Sequence, residues 1–332
     1  MENKNNSEIK IFYSKNWSFD SAQDKSYELL DTGEGEKLEK FGPYTFVRPF
    51  EDAVWTKTLS EKEWGNVDGK FWSSKVGAKA GWKISPHVRH VGNKWEMEYR
   101  GIKFLASPTP FRHLGFFPEQ ASHWDFIEEK IRYALAPQSP PQSLALREPK
   151  ARLWGKIKFL NLFGYTGVAS LFALRAGAEV THVDASKQSL NWAKENVELN
   201  QPLPRVPLDK GMRIIEDDVI KFLEREIKRG NKYDAVIMDP PKFGRGPKGE
   251  VWNIKEMLSR LLSLVSKVLS DKPLFIILTS YATDSSSLSL RYALAETMRV
   301  FGGKIEAGEL CVLEKSNGRL ISLANTAVWM VK

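Results

Sequence analysis

One cysteine, Cys311, stands in 332 residues. That excludes an internal disulfide framework and any cysteine-built zinc site. Histidine is nearly as scarce, with five in the chain and none at metal-ligand spacing. His87 and His90 read as surface residues, and no metal is expected. Long apolar runs are missing too. The best, such as Pro273–Leu278, fall far short of the ~20 residues that cross a bilayer. The first residues, Met1-Glu2-Asn3-Lys4-Asn5-Asn6, carry no apolar signal core, so a cytoplasmic protein with no membrane partner is expected.

What is present is an ordinary globular composition, 42% hydrophobic and 27% charged, ample for a buried core. The length suggests two domains. A formal charge of +8 suits an anionic partner such as nucleic acid, and equally a lysine-rich solvated surface.

Residues 1–25 read as a polar arm. Residues 26–110 read as a small antiparallel β domain, with β-rich runs such as Tyr44–Val47, Lys94–Tyr99 and Ile102–Leu105 punctuated by Gly and Pro. Six of the eleven tryptophans fall before residue 100: Trp17, Trp55, Trp64, Trp72, Trp82 and Trp95. They could stack unpaired bases and make this domain an RNA guide, or fill a small core. Residues 111–150 hold a loop, a helix over 125–135 and a Pro/Gln/Ser-rich linker at 137–149.

From residue 151 strands and helices alternate, which predicts a parallel sheet. Strands are expected at 157–163, 179–183, 213–216, 233–238 and 273–279. Helices are expected at 168–176, 187–199, 219–228, 254–269 and 288–301. Two final β runs, 304–313 and 319–330, meet at the turn Asn317-Gly318.

Chemistry-bearing residues recur where these strands end, the edge at which open α/β sheets bind ligands. Asn161, Phe163, Gly164, Thr166 and Gly167 form the first strand–helix turn, where glycine lets backbone approach a ligand and helix amides are free. The spacing is not the G-x-G-x-x-G of dinucleotide binders. Asp184, followed by Ala185, ends the second strand, where a carboxylate can receive ribose hydroxyls. Asp217 and Asp218, followed by Val219, end the third. There one acid, for which Asp218 is the choice, can receive an adenine amino group while Val219 packs on its face. Each site has a structural alternative: a tight turn for the glycines, helix N-caps for the acids. Asp239-Pro240-Pro241-Lys242-Phe243 ends the fourth strand.

Together these stretches resemble class I S-adenosylmethionine-dependent methyltransferases, and within them the large-subunit ribosomal RNA methyltransferases carrying Asp-Pro-Pro-x-Phe. The fit is best to a bacterial branch with Phe117-Pro118-Glu119-Gln120-Ala121 before the domain and Phe243 to Trp252 after the acid. The resemblance runs from about Tyr27 to the C-terminus. It implies a Rossmann-like fold over 151–332, with a seven-stranded, mostly parallel sheet and an antiparallel last strand. It implies S-adenosylmethionine as cofactor, its methionine part on the Gly164/Gly167 turn, its ribose on Asp184 and its adenine on Asp218, with Phe117 and Gln120 as cover.

Asp239 and the Pro240 carbonyl could then receive an exocyclic amino group and aim its lone pair, while Pro240-Pro241 stiffens the backbone. Phe243 could stack on an unpaired base, although Lys242 separates it from Pro241. Lys242, Arg245 and Lys248 would contact phosphates. Cytosine carbon-5 methylation needs a thiolate, and the stretch after the fifth strand is Thr279-Ser280-Tyr281-Ala282. The expectation is an RNA methyltransferase acting on ribosomal RNA, at nitrogen. The alternatives are a small-molecule or protein methyltransferase, or a non-catalytic RNA-binding protein.

Overall fold

A computed structural model describes residues 8–14, 25–72, 80–86, 88, 94–136, 156–201, 211–281 and 286–331. The linker at 137–149, Trp17, His87 and His90 lie outside the described residues.

The first element is β1 (Lys10–Phe12), inside the stretch expected to be a polar arm. β2 (Tyr27–Gly33), β3 (Glu36–Phe41) and β4 (Tyr44–Pro49) form an antiparallel meander. Glu34 and Gly35 take φ of 54° and 76° between β2 and β3, matching the twist of a two-residue hairpin. Ser60 and Glu63 cap the short helix α1 (Glu61–Gly65) reciprocally. β5 (Gly69–Trp72) then pairs parallel with β4, a parallel pairing in a unit expected to be antiparallel, and β6 (Gly81–Ile84) pairs antiparallel with β5. β7 (Trp95–Tyr99) and β8 (Ile102–Ala106) make a separate hairpin. Most tryptophans here are structural. Trp64 and Trp95 are buried, and the indoles of Trp55, Trp82 and Trp95 donate to the carbonyls of Thr32, Thr109 and Phe41.

A 3₁₀ turn, Pro118–Gln120, leads into α2 (Ala121–Leu135). The alternating half follows: β9 (Lys158–Leu162), α3 (Val168–Ala176), β10 (Glu179–Asp184), α4 (Lys187–Glu198), β11 (Arg213–Glu216), α5 (Val219–Arg229) and β12 (Ala235–Met238). The stretch after Asp239 folds as an antiparallel ribbon of β13 (Phe243–Arg245) and β14 (Val251–Asn253). Then come α6 (Ile254–Val268), β15 (Phe275–Ser280), α7 (Ser287–Met298), β16 (Lys304–Leu313) and β17 (Leu320–Met330).

Strand order is β1-β16-β17-β15-β12-β9-β10-β11. β17 inserts antiparallel between β15 and β16, so it alone opposes the direction of the others. The seven expected strands are present, and β1 adds an eighth beside β16. Gly308 permits this approach, because a Cβ there would overlap the Lys10 carbonyl oxygen.

β12 and β15 are buried along their whole length, which is why they read as continuous apolar runs. Helices α5, α6 and α7 cover one face of the sheet. On the other face the core continues without a break into the N-terminal unit. Phe104 packs on Phe116 at 4.8 Å, and Trp124 stacks on Phe172 at 5.6 Å. The β16–β17 tip adds backbone bonds from Lys315 and Ser316 to Leu29 and Leu30, at 2.9 and 3.0 Å. The carboxyl ends of β9 to β12 therefore line one edge, and the Phe117–Gln120 segment, anchored in this shared core, crosses it.

Candidate active site

The turn from β9 to α3 is tightly wound. Phe163, Tyr165 and Gly167 take φ of 57°, 53° and 85°. Gly164 N–H donates to the Val183 carbonyl at 3.0 Å, and a Cβ at Gly164 would overlap the His182 ring. Beneath the turn runs a buried chain. Asn161 Nδ2 donates to Ser170 Oγ at 2.9 Å, Ser170 Oγ meets His182 Nδ1 at 3.0 Å, and His182 Nε2 meets the Tyr165 carbonyl at 3.2 Å. Burial pushes His182 down to about 4, so the ring is neutral. Nothing in the sequence pattern marked His182, which sits in an apolar strand.

Asp184 braces the same turn. Its Oδ2 accepts from Tyr165 N–H at 2.9 Å and its Oδ1 from Ser186 N–H at 2.8 Å. Burial raises its carboxyl, and these amides oppose the rise. Just after β11, Asp217 pairs with Arg225. Asp218 caps α5 by accepting from Lys221 N–H at 3.0 Å, and Val219 is buried in the core. Asp184, Ala185, Asp217, Asp218 and Val219 all lie at neighbouring strand tips, outside the cleft described next.

That cleft has a volume of about 450 Å³ and opens to solvent. Its walls are the turn Phe163–Gly167, the start of α3, and Phe116, Phe117 and Gln120 of the covering segment, with Asp239 beside them. Thr166 Oγ1 donates to the Gly115 carbonyl at 2.6 Å and ties cover to turn. The Phe117 ring lies 5.8 Å from Tyr165 and 4.9 Å from Tyr281. Gln120 Nε2 lies 3.3 Å from both Asp239 Oδ2 and the Tyr281 hydroxyl. Asp239 Oδ1 is buried with no partner. Burial first, and the charge of Glu119 second, push the Asp239 carboxyl up to about 8. Glu119 and Tyr281, which sequence reasoning did not single out, are bonded to each other. Burial raises both of them.

No protein-family model matches the chain. The structure of the SAM-dependent methyltransferase from Agrobacterium tumefaciens superposes with a TM-score of 0.81 at 38% identity, over 97% of this chain and 93% of that one. This chain belongs to the SAM-dependent methyltransferases. It is an enzyme of that family, with S-adenosylmethionine as its cofactor. A Streptococcus mutans SAM-dependent methyltransferase shares the fold at 15% identity and TM-score 0.62, over 95% of this chain and 77% of that one. The ribosomal RNA large subunit methyltransferase I of Salmonella arizonae is 45% identical over 87 residues, 26% of this chain. The match spans about a fifth, 20%, of that relative's length.

The methyltransferase's cleft suits its cofactor. α3 starts at Val168 with no side-chain cap, so its first amides are left for a ligand carboxylate. The unpartnered Asp239 Oδ1 marks a place for a donor. Beyond the cleft, Pro240 is buried. The Pro241 carbonyl accepts from Trp252 Nε1 at 2.6 Å, and Trp252 packs on Phe163 at 4.9 Å. Lys242 contributes its carbonyl to Ile254 N–H at 3.1 Å. Phe243 is 65% exposed on the ribbon, and the side chains of Lys242, Arg245 and Lys248 are exposed nearby. Glu250 pairs with Lys221 and accepts from Lys248 N–H at 2.9 Å. Among the described residues no cluster could hold a metal, and no helix is long and apolar enough to cross a membrane.

Proposed function

We propose that this enzyme methylates a nitrogen of an RNA base, in ribosomal RNA of the large subunit. The observation that carries this reading is the bare, buried Asp239 Oδ1 at the mouth of a cofactor cleft, beside an exposed basic and aromatic ribbon. S-adenosylmethionine supplies an activated methyl group, so alignment and exclusion of water are what the protein must add. Asp239 Oδ1, with the Pro240 carbonyl, receives an exocyclic amino group and fixes the direction of its lone pair. Phe117 and Gln120 close over the cofactor, and the Gly164/Gly167 turn with Asn161, Phe163 and Thr166 holds its methionine part. Asp184 accepts from the amides of Tyr165, Ala185 and Ser186, and of its roughly four acceptor sites one is left for a ribose hydroxyl. Asp218 Oδ2, rather than the ion-paired Asp217, takes the adenine amino group, between Ala185 and Val219.

Nitrogen is favoured over cytosine carbon 5 because no thiol can serve as nucleophile. The single cysteine, Cys311, is buried in β16, and burial pushes its thiol up to about 11. The large-subunit RNA enzymes named among the relatives support RNA as the substrate class, and the basic ribbon supplies phosphate contacts through Lys242, Arg245 and Lys248. The N-terminal β unit would guide the RNA.

Mass spectrometry of nucleosides from large-subunit RNA, with and without the gene, tests the reading. A methylated nucleoside that disappears with the gene is expected. Identical profiles would redirect the substrate to a protein or small molecule, and 5-methylcytosine would overturn the nitrogen assignment. A second expectation concerns Phe243. Its replacement by alanine should weaken RNA binding roughly tenfold, the lower part of the ~1–3 kcal/mol that base stacking contributes. Because the ring is exposed, the melting temperature should not move. Unchanged affinity in a filter-binding assay would remove Phe243 from the RNA site.

A further inference from the structure

Behind Asp239 lies a buried chain of hydrogen-bonding groups with one proton too few for its apparent directions. Gln120 Nε2 faces Asp239 Oδ2 and the Tyr281 hydroxyl, each at 3.3 Å. Gln120 Oε1 meets His123 Nδ1 at 2.8 Å. His123 Nε2 meets Thr326 Oγ1 at 3.2 Å, and Thr326 Oγ1 sits 3.1 Å from the Leu278 carbonyl. A neutral imidazole carries one N–H. If Thr326 gives its proton to Leu278, His123 stands between two acceptors with a single proton. Gln120, His123 and Thr326 are all buried, Phe12 of β1 closes the far side of the His123 ring at 6.2 Å, and the neighbouring hydroxyls are those of Tyr281 beside Gln120 and of Thr279, 3.5 Å from Thr326 Oγ1.

The shortage can be settled in two ways. In one, Thr326 O–H donates to His123 Nε2, His123 Nδ1–H donates to Gln120 Oε1, and the Gln120 amide donates to an ionised Asp239. In the other the amide is turned over. A protonated Asp239 Oδ2 donates to Gln120 Oε1, the Gln120 NH₂ donates to His123 Nδ1, His123 Nε2–H donates to Thr326, and Thr326 O–H donates to Leu278. Asp239, Gln120, His123 and Thr326 each have a partner in both registers, as a buried network requires.

We propose that Gln120, His123 and Thr326 are positioning residues forming a two-register relay, in which the Gln120 amide orientation and the His123 tautomer follow the protonation of Asp239. In both registers Asp239 Oδ1 remains an acceptor toward the cleft, so an amino group is received whether the carboxyl is charged or neutral. This catalytic meaning rests on the proposed role of Asp239; the relay itself does not. The ionisable groups facing Asp239 are Glu119 of the covering segment and Tyr281 after β15, with Lys37 of β3 and Arg48 of β4 behind Glu119. Burial alone pushes His123 down to about 3, so the ring stays neutral while Asp239 titrates.

Long-range ¹⁵N–¹H correlation spectra of the full chain, labelled at histidine, read the tautomer directly. His123 is assigned by loss of its signals in His123→Gln. From about pH 6 to about pH 10, wild-type His123 should change from the Nε2–H to the Nδ1–H tautomer around the Asp239 midpoint near 8. In Asp239→Asn, whose amide N–H imitates the protonated acid, it should remain Nε2–H throughout. A tautomer that never changes in the wild type, or one that changes equally in Asp239→Asn, would overturn the relay. If the wild-type tautomer switches while Asp239→Asn still methylates large-subunit RNA at full rate, the relay stands and the proposed role of Asp239 fails.

Discussion

Replacing Gly164 with alanine is expected to weaken cofactor binding at least roughly tenfold. The added methyl would overlap the His182 ring. That ring cannot swing aside cheaply, because Ser170 holds one nitrogen at 3.0 Å and the Tyr165 carbonyl holds the other at 3.2 Å. Moving it would break the Asn161–Ser170–His182 chain under the turn. Moving the turn instead would pull Tyr165 N–H from Asp184 and Thr166 from Gly115. Overpacking of this kind costs about 1–3 kcal/mol, and the strain falls on the segment that frames the cleft. Calorimetric titration with S-adenosylmethionine should show affinity reduced at least roughly tenfold, with a lower melting temperature. Gly164→Ala combined with His182→Ala should recover part of the loss, since residues in contact do not behave additively. Wild-type affinity in the single variant would exclude the turn from the cofactor site.

Asp239→Asn is expected to lower turnover by about two to three orders of magnitude, in line with removing one oriented polar group from a reacting centre. Asparagine keeps the size of the side chain. However, with its Nδ2 turned to Gln120 it presents a weaker acceptor, and with its Oδ1 turned to Gln120 it presents a donor to the cleft. The same change should stabilise the fold at high pH. The folded carboxyl titrates near 8, against an ordinary value of 3.8. The stability tied to its neutral form is therefore complete below about pH 4 and is lost as pH rises through about 8. Asparagine never ionises, so the variant should melt above the wild type at pH 9 and with it near pH 4. Melting curves that stay parallel across this range would show that Asp239 is not a buried acid.

Much of this was readable in the chain before any coordinate. Strand–helix alternation predicted α3, β11 and the order of elements to within a residue or two. The apolar runs of β12 and β15 read as strands because both of their faces are buried. The motif residues fell at consecutive strand ends because parallel strands joined by crossover helices bring those ends to one edge. Gly164, Asp184, Asp218 and Asp239 could be picked out on that rule alone.

Other features depended on contacts between distant segments, which local pattern does not encode. Lys10–Phe12 looked like part of a polar arm because three residues carry almost no periodicity, yet Gly308, far along the chain, opens an edge for them. The basic stretch after Phe243 is a ribbon because Trp252 anchors it under Pro241. Asp184 and Asp218 had two readings each, and both brace backbone amides at strand tips outside the cleft. Cover and edge meet through the shared core of Phe104, Phe116 and Trp124 and through the Thr166–Gly115 bond. That meeting sets Glu119, Gln120, His123 and Tyr281 behind Asp239. The sequence by itself determined the sheet and the acid at its centre, because these follow from spacing along the chain, and its motifs carried the family resemblance. Only the tertiary structure decided the charge of that acid, because charge in a buried site depends on which polar groups converge there and how far water is kept away.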